Sequence, residues 1–263
     1  MSYYEIQGGR PLGGALAVHG AKNSVLPILA ACLLVPGQCV LHNCPDLSDV
    51  SATLDILRLL GCRADREGDT VIIDASAVNR SDIPEHLMRE MRSSVIFLGA
   101  LLARLGAAEL SYPGGCELGP RPIDLHLAAL RALGAEILEE QGALACRCCR
   151  GGLRGRELCL SIPSVGATEN AMLAACGCPG VTTVVGGARE PEIIDLQSFL
   201  QAAGAQVEGA GTSTITIQGG LPLHPVEYRV MGDRIAAATY LCAAAAAGGE
   251  VELTGIAPDT LTA

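Results

Sequence analysis

The sequence predicts a mixed α/β fold assembled from repeated helix–strand–helix–hairpin units, and two recurring phrases carry that prediction. In the first, a small-residue apolar run reaches a glycine and passes into an alternating, strand-like run. It occurs four times, with Gly37, Gly106, Gly180 and Gly248 spaced 69, 74 and 68 residues apart. In the second, a helical pattern closes on Leu or Ala plus Gly and gives way to two strands, at Leu60-Gly61, Leu133-Gly134 and Ala203-Gly204. Glycine takes the left-handed conformation that ends a helix without the steric cost a Cβ adds, so both phrases read as helix, stop, strand.

Taken in order, the first unit has a helix ending at Gly37, a strand over 38–43, a helix ending at Gly61, and a hairpin over 64–74 that turns at Glu67-Gly68-Asp69. The second has a helix ending at Gly106, a strand over 107–112, a helix ending at Gly134, and a hairpin over 136–146 turning at Gln141-Gly142. The third repeats the order through Gly180, a strand over 181–186, and Gly204. A fourth begins near Val230, supplies a helix ending at Gly248 and a strand over 249–255, and reaches Ala263 before its second helix and hairpin. Half a unit leaves apolar helix and strand surface without a neighbour, so the sequence carries the expectation of a truncated chain or of a complementing C-terminal segment. The longest apolar stretch, Ile235 to Ala247, contains Thr239 and Tyr240 and falls short of the roughly 20 residues a membrane span needs. It is expected as a buried helix.

Composition narrows the function classes. At 263 residues and 49% hydrophobic, the chain can bury a sizeable core in one or two domains. A net charge of −10 opposes nucleic acid or an anionic membrane as the main partner, since both require a basic surface. Two Phe and no Trp also remove the stacking platforms used on single-stranded nucleic acid. Residues 1–9 lack the basic start and apolar run of a signal peptide, so a cytoplasmic location is expected. Most of the twelve cysteines sit inside apolar runs, which fits a reducing compartment better than a disulfide scaffold. Cys146, Cys148 and Cys149, and Cys176 with Cys178, crowd together without a matching second pair or a histidine, so no metal site is expected.

Several segments carry chemistry. Gly20-Ala21-Lys22-Asn23-Ser24 puts an ammonium and an amide at a helix start, where outward N–H groups and the helix dipole favour an anion; ordinary capping explains the same residues. In Tyr112 to Pro122, two glycines and two prolines frame Cys116 in polar surroundings near Arg121. That is the setting of a reactive thiolate or of an idle surface cysteine. Arg121-Pro122-Ile123-Asp124-Leu125-His126 opens the next helix with a guanidinium fork suited to phosphate. Arg92 stands before the run Val95 to Leu102, and Ser164-Val165-Gly166 precedes another helix. Helix starts from several units would form one polyanion site if the units pack with those ends together.

These strings, with Met91-Arg92-Ser93-Ser94, Pro113-Gly114-Gly115-Cys116, Ala188-Arg189-Glu190-Pro191-Glu192-Ile193 and Asp233-Arg234-Ile235, run in order along nearly the whole chain. In them the sequence resembles the enolpyruvyl transferase family, in its UDP-N-acetylglucosamine branch. The resemblance implies an inside-out α/β barrel of repeated βαβαββ units in two similar domains. One complete domain would span residues 22–229, and residues 1–21 with 230–263 would supply part of a second. It implies transfer of the enolpyruvyl group of phosphoenolpyruvate to the 3-hydroxyl of UDP-N-acetylglucosamine, an early step of peptidoglycan synthesis, with no cofactor and no metal. Lys22 and Arg121 would hold phosphoenolpyruvate, and Cys116 would be the reactive loop residue alkylated by fosfomycin. Asn23, Arg92, the run Arg121, Pro122, Ile123, Asp124 and Leu125, and Ser164, Val165 and Gly166 would contact the sugar nucleotide.

Two departures bear on that reading. Ile162 stands where some members carry a lysine, which puts one diphosphate contact in doubt. The general-base aspartate and a further arginine fall beyond Ala263, so weak or no turnover is expected of this chain alone. A different acceptor such as shikimate 3-phosphate, which the cysteine loop opposes, and a non-catalytic sugar-nucleotide-binding protein are the competing readings.

Overall fold

The computed structural model describes residues 3–5, 7–91, 93–111, 123–140 and 142–261. The first stretch runs β1 (Leu12–Ala17), α1 (Lys22–Ala31), β2 (Gln38–His42), α2 (Ser48–Leu59), β3 (Arg63–Glu67) and β4 (Thr70–Asp74). Then come β5 (Asp82–Ile83), α3 (Glu85–Glu90), α4 (Phe97–Leu105), β6 (Ala107–Ser111), α5 (Asp124–Leu133), β7 (Ala135–Glu140) and β8 (Ala143–Cys148). The third stretch holds β9 (Glu157–Cys159), α6 (Val165–Cys176), β10 (Gly180–Val185), α7 (Pro191–Ala202), β11 (Gln206–Glu208) and β12 (Thr214–Gly219). Last are β13 (Val226–Arg229), α8 (Arg234–Ala247) and β14 (Gly249–Thr254).

The repeat predicted from the glycines is present. All seven sit at positive φ, from 72° at Gly106 to 154° at Gly37. The hairpins β3–β4 and β7–β8 turn where expected, with Glu67 opposite Thr70 and Glu140 opposite Ala143. Three four-stranded sheets share one order: β13-β2-β4-β3, β5-β6-β8-β7 and β9-β10-β12-β11. In each, the first pair is parallel and the rest antiparallel.

Helices form the interior and sheets the wall. In α6, ten of twelve residues are buried, and α1 buries everything from Ser24 to Ala31, as apolar residues all round a helix require. Strands alternate instead, as in β12, where Ile215 and Ile217 turn inward and Thr214 and Thr216 outward. This is the inside-out arrangement the resemblance implies, although among the described residues the wall is three separate sheets and not one closed barrel. Interior helices approach closely where the sequence permits. At Gly99 in α4 a Cβ would lie 2.4 Å from the carbonyl oxygen of Asn170 in α6, so any larger residue forces the two helices apart.

One connection was not legible in the sequence. β1 precedes α1 yet pairs in parallel with β14, while β13 precedes α8 yet pairs in parallel with β2. The chain therefore exchanges lead strands between its first and fourth units. The two crossing segments bind one another antiparallel: Gly20 bridges Gly232, the Ala21 N–H donates to the Met231 carbonyl at 2.8 Å, and the Asp233 N–H donates to the His19 carbonyl at 2.9 Å. Asp195 of α7 pins the crossing from below. Its carboxyl accepts from Ser24, from the Tyr228 hydroxyl at 2.5 Å and from the Met231 N–H at 3.2 Å.

The fourth unit corrects one expectation. Residues 235–247 do form a helix, but of α8 only Ala237 is buried, and Ile235, Tyr240 and Leu241 are exposed. The small, apolar residues give a helix. Burial needs neighbours, and α8 packs on little besides β14, β1 and the short 3-10 turn Pro258–Leu261. No helix among the described residues is long and apolar enough to cross a membrane.

Candidate functional site

A cleft of about 640 Å³ opens where helices from all three complete units begin. Lys22 and Asn23 border it from the first turn of α1, Ser93 and Val95 from the approach to α4, Ile123 from the residue before α5, and Ser164, Val165 and Gly166 from the start of α6. The helix starts singled out in separate parts of the sequence thus share one space, the kind of setting in which unpaired terminal N–H groups and helix dipoles favour an anion.

Local chemistry fixes these side chains. Lys22 is 44% exposed and ion-paired with Asp49, which lies in the first turn of α2. Its backbone N–H donates to Asp233 Oδ2 at 3.3 Å, and Asp233 Oδ1 accepts from Ile235 and Ala236 at 2.9 and 3.0 Å, so one carboxylate ties α1 to α8. Pro27 sits inside α1 on the cleft side, and having no N–H it gives the Asn23 carbonyl no helical partner. At the start of α6, Ser164 Oγ accepts from the Ala167 N–H at 3.4 Å, and Thr168 Oγ1 donates to the Ser164 carbonyl at 2.8 Å.

Of the residues the sequence named, the structure gathers Lys22, Asn23, Ile123, Ser164, Val165 and Gly166 around this cleft. Asp124 and Leu125 follow in the first turn of α5 and do not border it. Arg92, Cys116, Arg121 and Pro122 lie outside the described residues. Ile162, the departure noted above, is exposed.

Among the lining residues the sequence did not single out as candidates, three matter most for the chemistry of the cleft. His126 is buried beside Gly166, where a Cβ would come within 2.8 Å of its Cε1, so glycine is needed there for the ring to pack against α6. Its tautomer follows from a chain of bonds. Asn170 Oδ1 accepts from the Gly99 N–H at 2.7 Å, which turns Nδ2 toward the Val95 carbonyl at 2.9 Å and His126 Nδ1 at 2.8 Å. Nδ1 therefore accepts, and in the neutral ring the proton is on Nε2. Asp49 is the second, placed by a turn of α2 that no local motif marks. Glu169 is the third; it stands four residues after Val165, a helical spacing that puts both on the cleft face. Burial, reinforced by Glu192 and Glu190, raises its carboxyl well above the usual carboxylate range.

A larger recess of about 980 Å³ lies at the strand crossing, bordered by His19, Asn43, Arg66, Arg229 and Met231 among others. It collects none of the candidate substrate-binding or catalytic residues the sequence named.

Comparison with known proteins bears on both fold and cleft. The profile of the family described as EPSP synthase (3-phosphoshikimate 1-carboxyvinyltransferase) matches residues 6–263. A protein of Caldanaerobacter subterraneus subsp. tengcongensis named UDP-N-acetylglucosamine 1-carboxyvinyltransferase 2 is 52% identical over 95% of this chain and 60% of its own length. One from Symbiobacterium thermophilum, named UDP-N-acetylglucosamine 1-carboxyvinyltransferase 1, is 49% identical over 99% of this chain and 60% of its own length. The chain thus spans about 60% of the length of these curated relatives. Among solved structures, the enolpyruvyl transferase NikO from Streptomyces tendae superimposes with a TM-score of 0.79 at 29% identity, over 90% of this chain and 56% of that one. EPSP synthase from Acinetobacter baumannii, at 22% identity and a TM-score of 0.74 over 95% of this chain and 57% of that one, shares the fold.

Proposed function

The chain belongs to the EPSP synthase family, and from that premise we propose that it serves enolpyruvyl transfer from phosphoenolpyruvate to the 3-hydroxyl of UDP-N-acetylglucosamine. The observation that carries this reading is the cleft itself. Two anionic substrates need concentrated positive potential on a protein of net charge −10, and helix starts from three units with Lys22 offer it in one place. The names of relatives at 49–52% identity favour the sugar nucleotide over shikimate 3-phosphate as acceptor.

In this reading Lys22 and Arg121 hold phosphoenolpyruvate and stabilise the charge that develops during addition and elimination. Cys116 is the reactive loop thiol. Asn23, Arg92 and residues 121–125 contact the sugar nucleotide, while Ser164, Val165 and Gly166 meet its diphosphate at the start of α6. The Lys22–Asp49 pair would open or shift so that the ammonium can face the substrate. Residues 22–229 would form one domain and residues 1–21 with 230–263 would contribute to another, a division that the paired crossing segments 18–21 and 230–233 support. The reaction would feed peptidoglycan synthesis, and hence cell-wall growth and division, and would take place in the cytoplasm.

The test is intact-mass spectrometry after incubation with fosfomycin, with and without UDP-N-acetylglucosamine, the adduct being located by digestion. An adduct on Cys116 that forms faster with the sugar nucleotide supports the reading. A folded chain that forms none, and in which the sugar nucleotide changes nothing, counts against it.

A further inference from the structure

Glu169 does not fit the account of an anion cleft as it stands. Its residue is 6% exposed, it borders the cleft beside Val165 and Gly166, and among the described residues its side chain has no hydrogen bond or ion pair. A buried carboxyl left without a partner is costly, the more so when ionised. Its neighbours do not relieve it. From α7 it faces Glu192, already paired with Arg234 at 3.0 Å, and from the residue capping that helix, Glu190. Across the cleft, Lys22 of α1 is taken by Asp49 of α2, His126 of α5 has its Nδ1 engaged by Asn170, and Glu90 ends α3 with a further acid.

Among the described lining residues there are thus three acids against one lysine. Each acid there that stays neutral spares an anionic ligand one repulsion. The carboxyl whose neutral form burial and two neighbouring glutamates favour is the one standing a single turn inside the helix start assigned to the diphosphate.

Resting on the sugar-nucleotide reading above, we propose that Glu169 is a ligand-contact residue that meets the diphosphate as a neutral carboxylic acid, donating its O–H to a phosphate oxygen at the start of α6. The bound anion then holds the proton in place. At a pH where Glu169 has ionised in the free protein, binding takes up one proton, so affinity is full below the free protein's midpoint. It declines as pH rises through that midpoint, by up to about tenfold per unit. The diphosphate diester of the ligand has no ionisation of its own in that range, and His126 is unchanged in the parent and in both variants tested below.

The experiment is calorimetric titration of UDP-N-acetylglucosamine into the chain between about pH 5 and 9, in two buffers of different ionisation enthalpy so that proton uptake is read directly. Glu169→Gln, which keeps the shape and an N–H donor, is expected to bind within about threefold of the parent and to lose the alkaline decline. Glu169→Leu, which keeps the volume and removes the donor, is expected to lose about tenfold or more. Glu169→Leu binding like the parent overturns the contact. A parent whose affinity rises with pH, with Glu169→Gln impaired, overturns the neutral acid in favour of a carboxylate. If Glu169→Leu does not fold, the parent and Glu169→Gln pH profiles decide alone. Absence of binding by the parent at every pH instead brings down the sugar-nucleotide reading, a failure distinguishable from the other two.

Discussion

Leu173 of α6 and Leu241 of α8 hold the same place in the repeat, seven residues before Gly180 and Gly248, and their surroundings are opposite. Leu173 is fully buried, while Leu241 is 44% exposed. The two helices are made alike, from small and apolar residues, with side-chain caps from Ser164 and Asp233, and each leads to a strand that starts at a positive-φ glycine. α6 is walled in by α4, α5 and α7 and by β10 and β12, whereas α8 has β14, β1 and the short 3-10 turn Pro258–Leu261. The local code therefore sets where a helix forms and stops, and the supply of neighbouring units sets what it is worth. Most helical stability in proteins comes from that second term.

The widest gap between the two regions is expected at this pair. Leu173→Ala removes a side chain from a filled interior and should cost about 2–5 kcal/mol, read as a shift of the urea midpoint at unchanged slope. A cost below about 1 kcal/mol would mean that the α4–α6 interior collapses around the hole, and that the interior is less tightly built than the Gly99 approach implies.

A smaller effect is expected where the two regions join. Tyr228→Phe takes one hydrogen bond from buried Asp195 and should cost about 1–3 kcal/mol. The pH dependence has a definite sign. Burial holds the Asp195 carboxyl above the usual carboxylate range, opposed by its bonds from Ser24, Tyr228 and Met231. The folded chain thus keeps this proton more readily than the unfolded one, and the associated stability is full in acid and lost as pH rises through the folded value. Deleting the Tyr228 hydroxyl removes a bond that favours the ionised form, so the penalty should grow between about pH 4 and neutrality. A penalty that shrinks over that range would show that the Tyr228 hydroxyl favours the protonated form of Asp195 and not the carboxylate.

Much of this architecture could be read from glycine spacing, because a helix stop is a local event that one residue type performs. Both hairpin turns and each apolar run came from the same kind of signal. The exchange of β1 and β13 could not be read, since Leu12 to Ala17 is a weak Gly/Ala-rich strand whose partner lies more than 200 residues away and is chosen by packing. The cleft was legible to the extent that it is made of helix starts, such as Lys22-Asn23 and Ser164-Val165-Gly166. Asp49, His126 and Glu169 were not, because each is placed by packing between separate helices, Asp49 against Lys22 of α1, His126 against Asn170 of α6 and Glu169 beside Glu192 of α7, and no local motif records which residue it will face.

The smallest effect should come from Leu241→Ala. With 44% of Leu241 already in contact with water, truncation forfeits little transfer free energy and opens no enclosed cavity, so the cost should stay under about 1 kcal/mol. Measured beside Leu173→Ala under the same urea titration, the pair gives the repeat position's worth with and without enclosing neighbours. If Leu241→Ala proved as costly as Leu173→Ala, and the cost fell on dilution of the protein, α8 would be covered in solution by a second copy, because an interface between chains weakens with concentration and an intramolecular core does not. A large cost independent of concentration would place the cover within the chain itself, and the contrast between the two helices would then belong to the arrangement of α8 on β14 and not to the number of units around it.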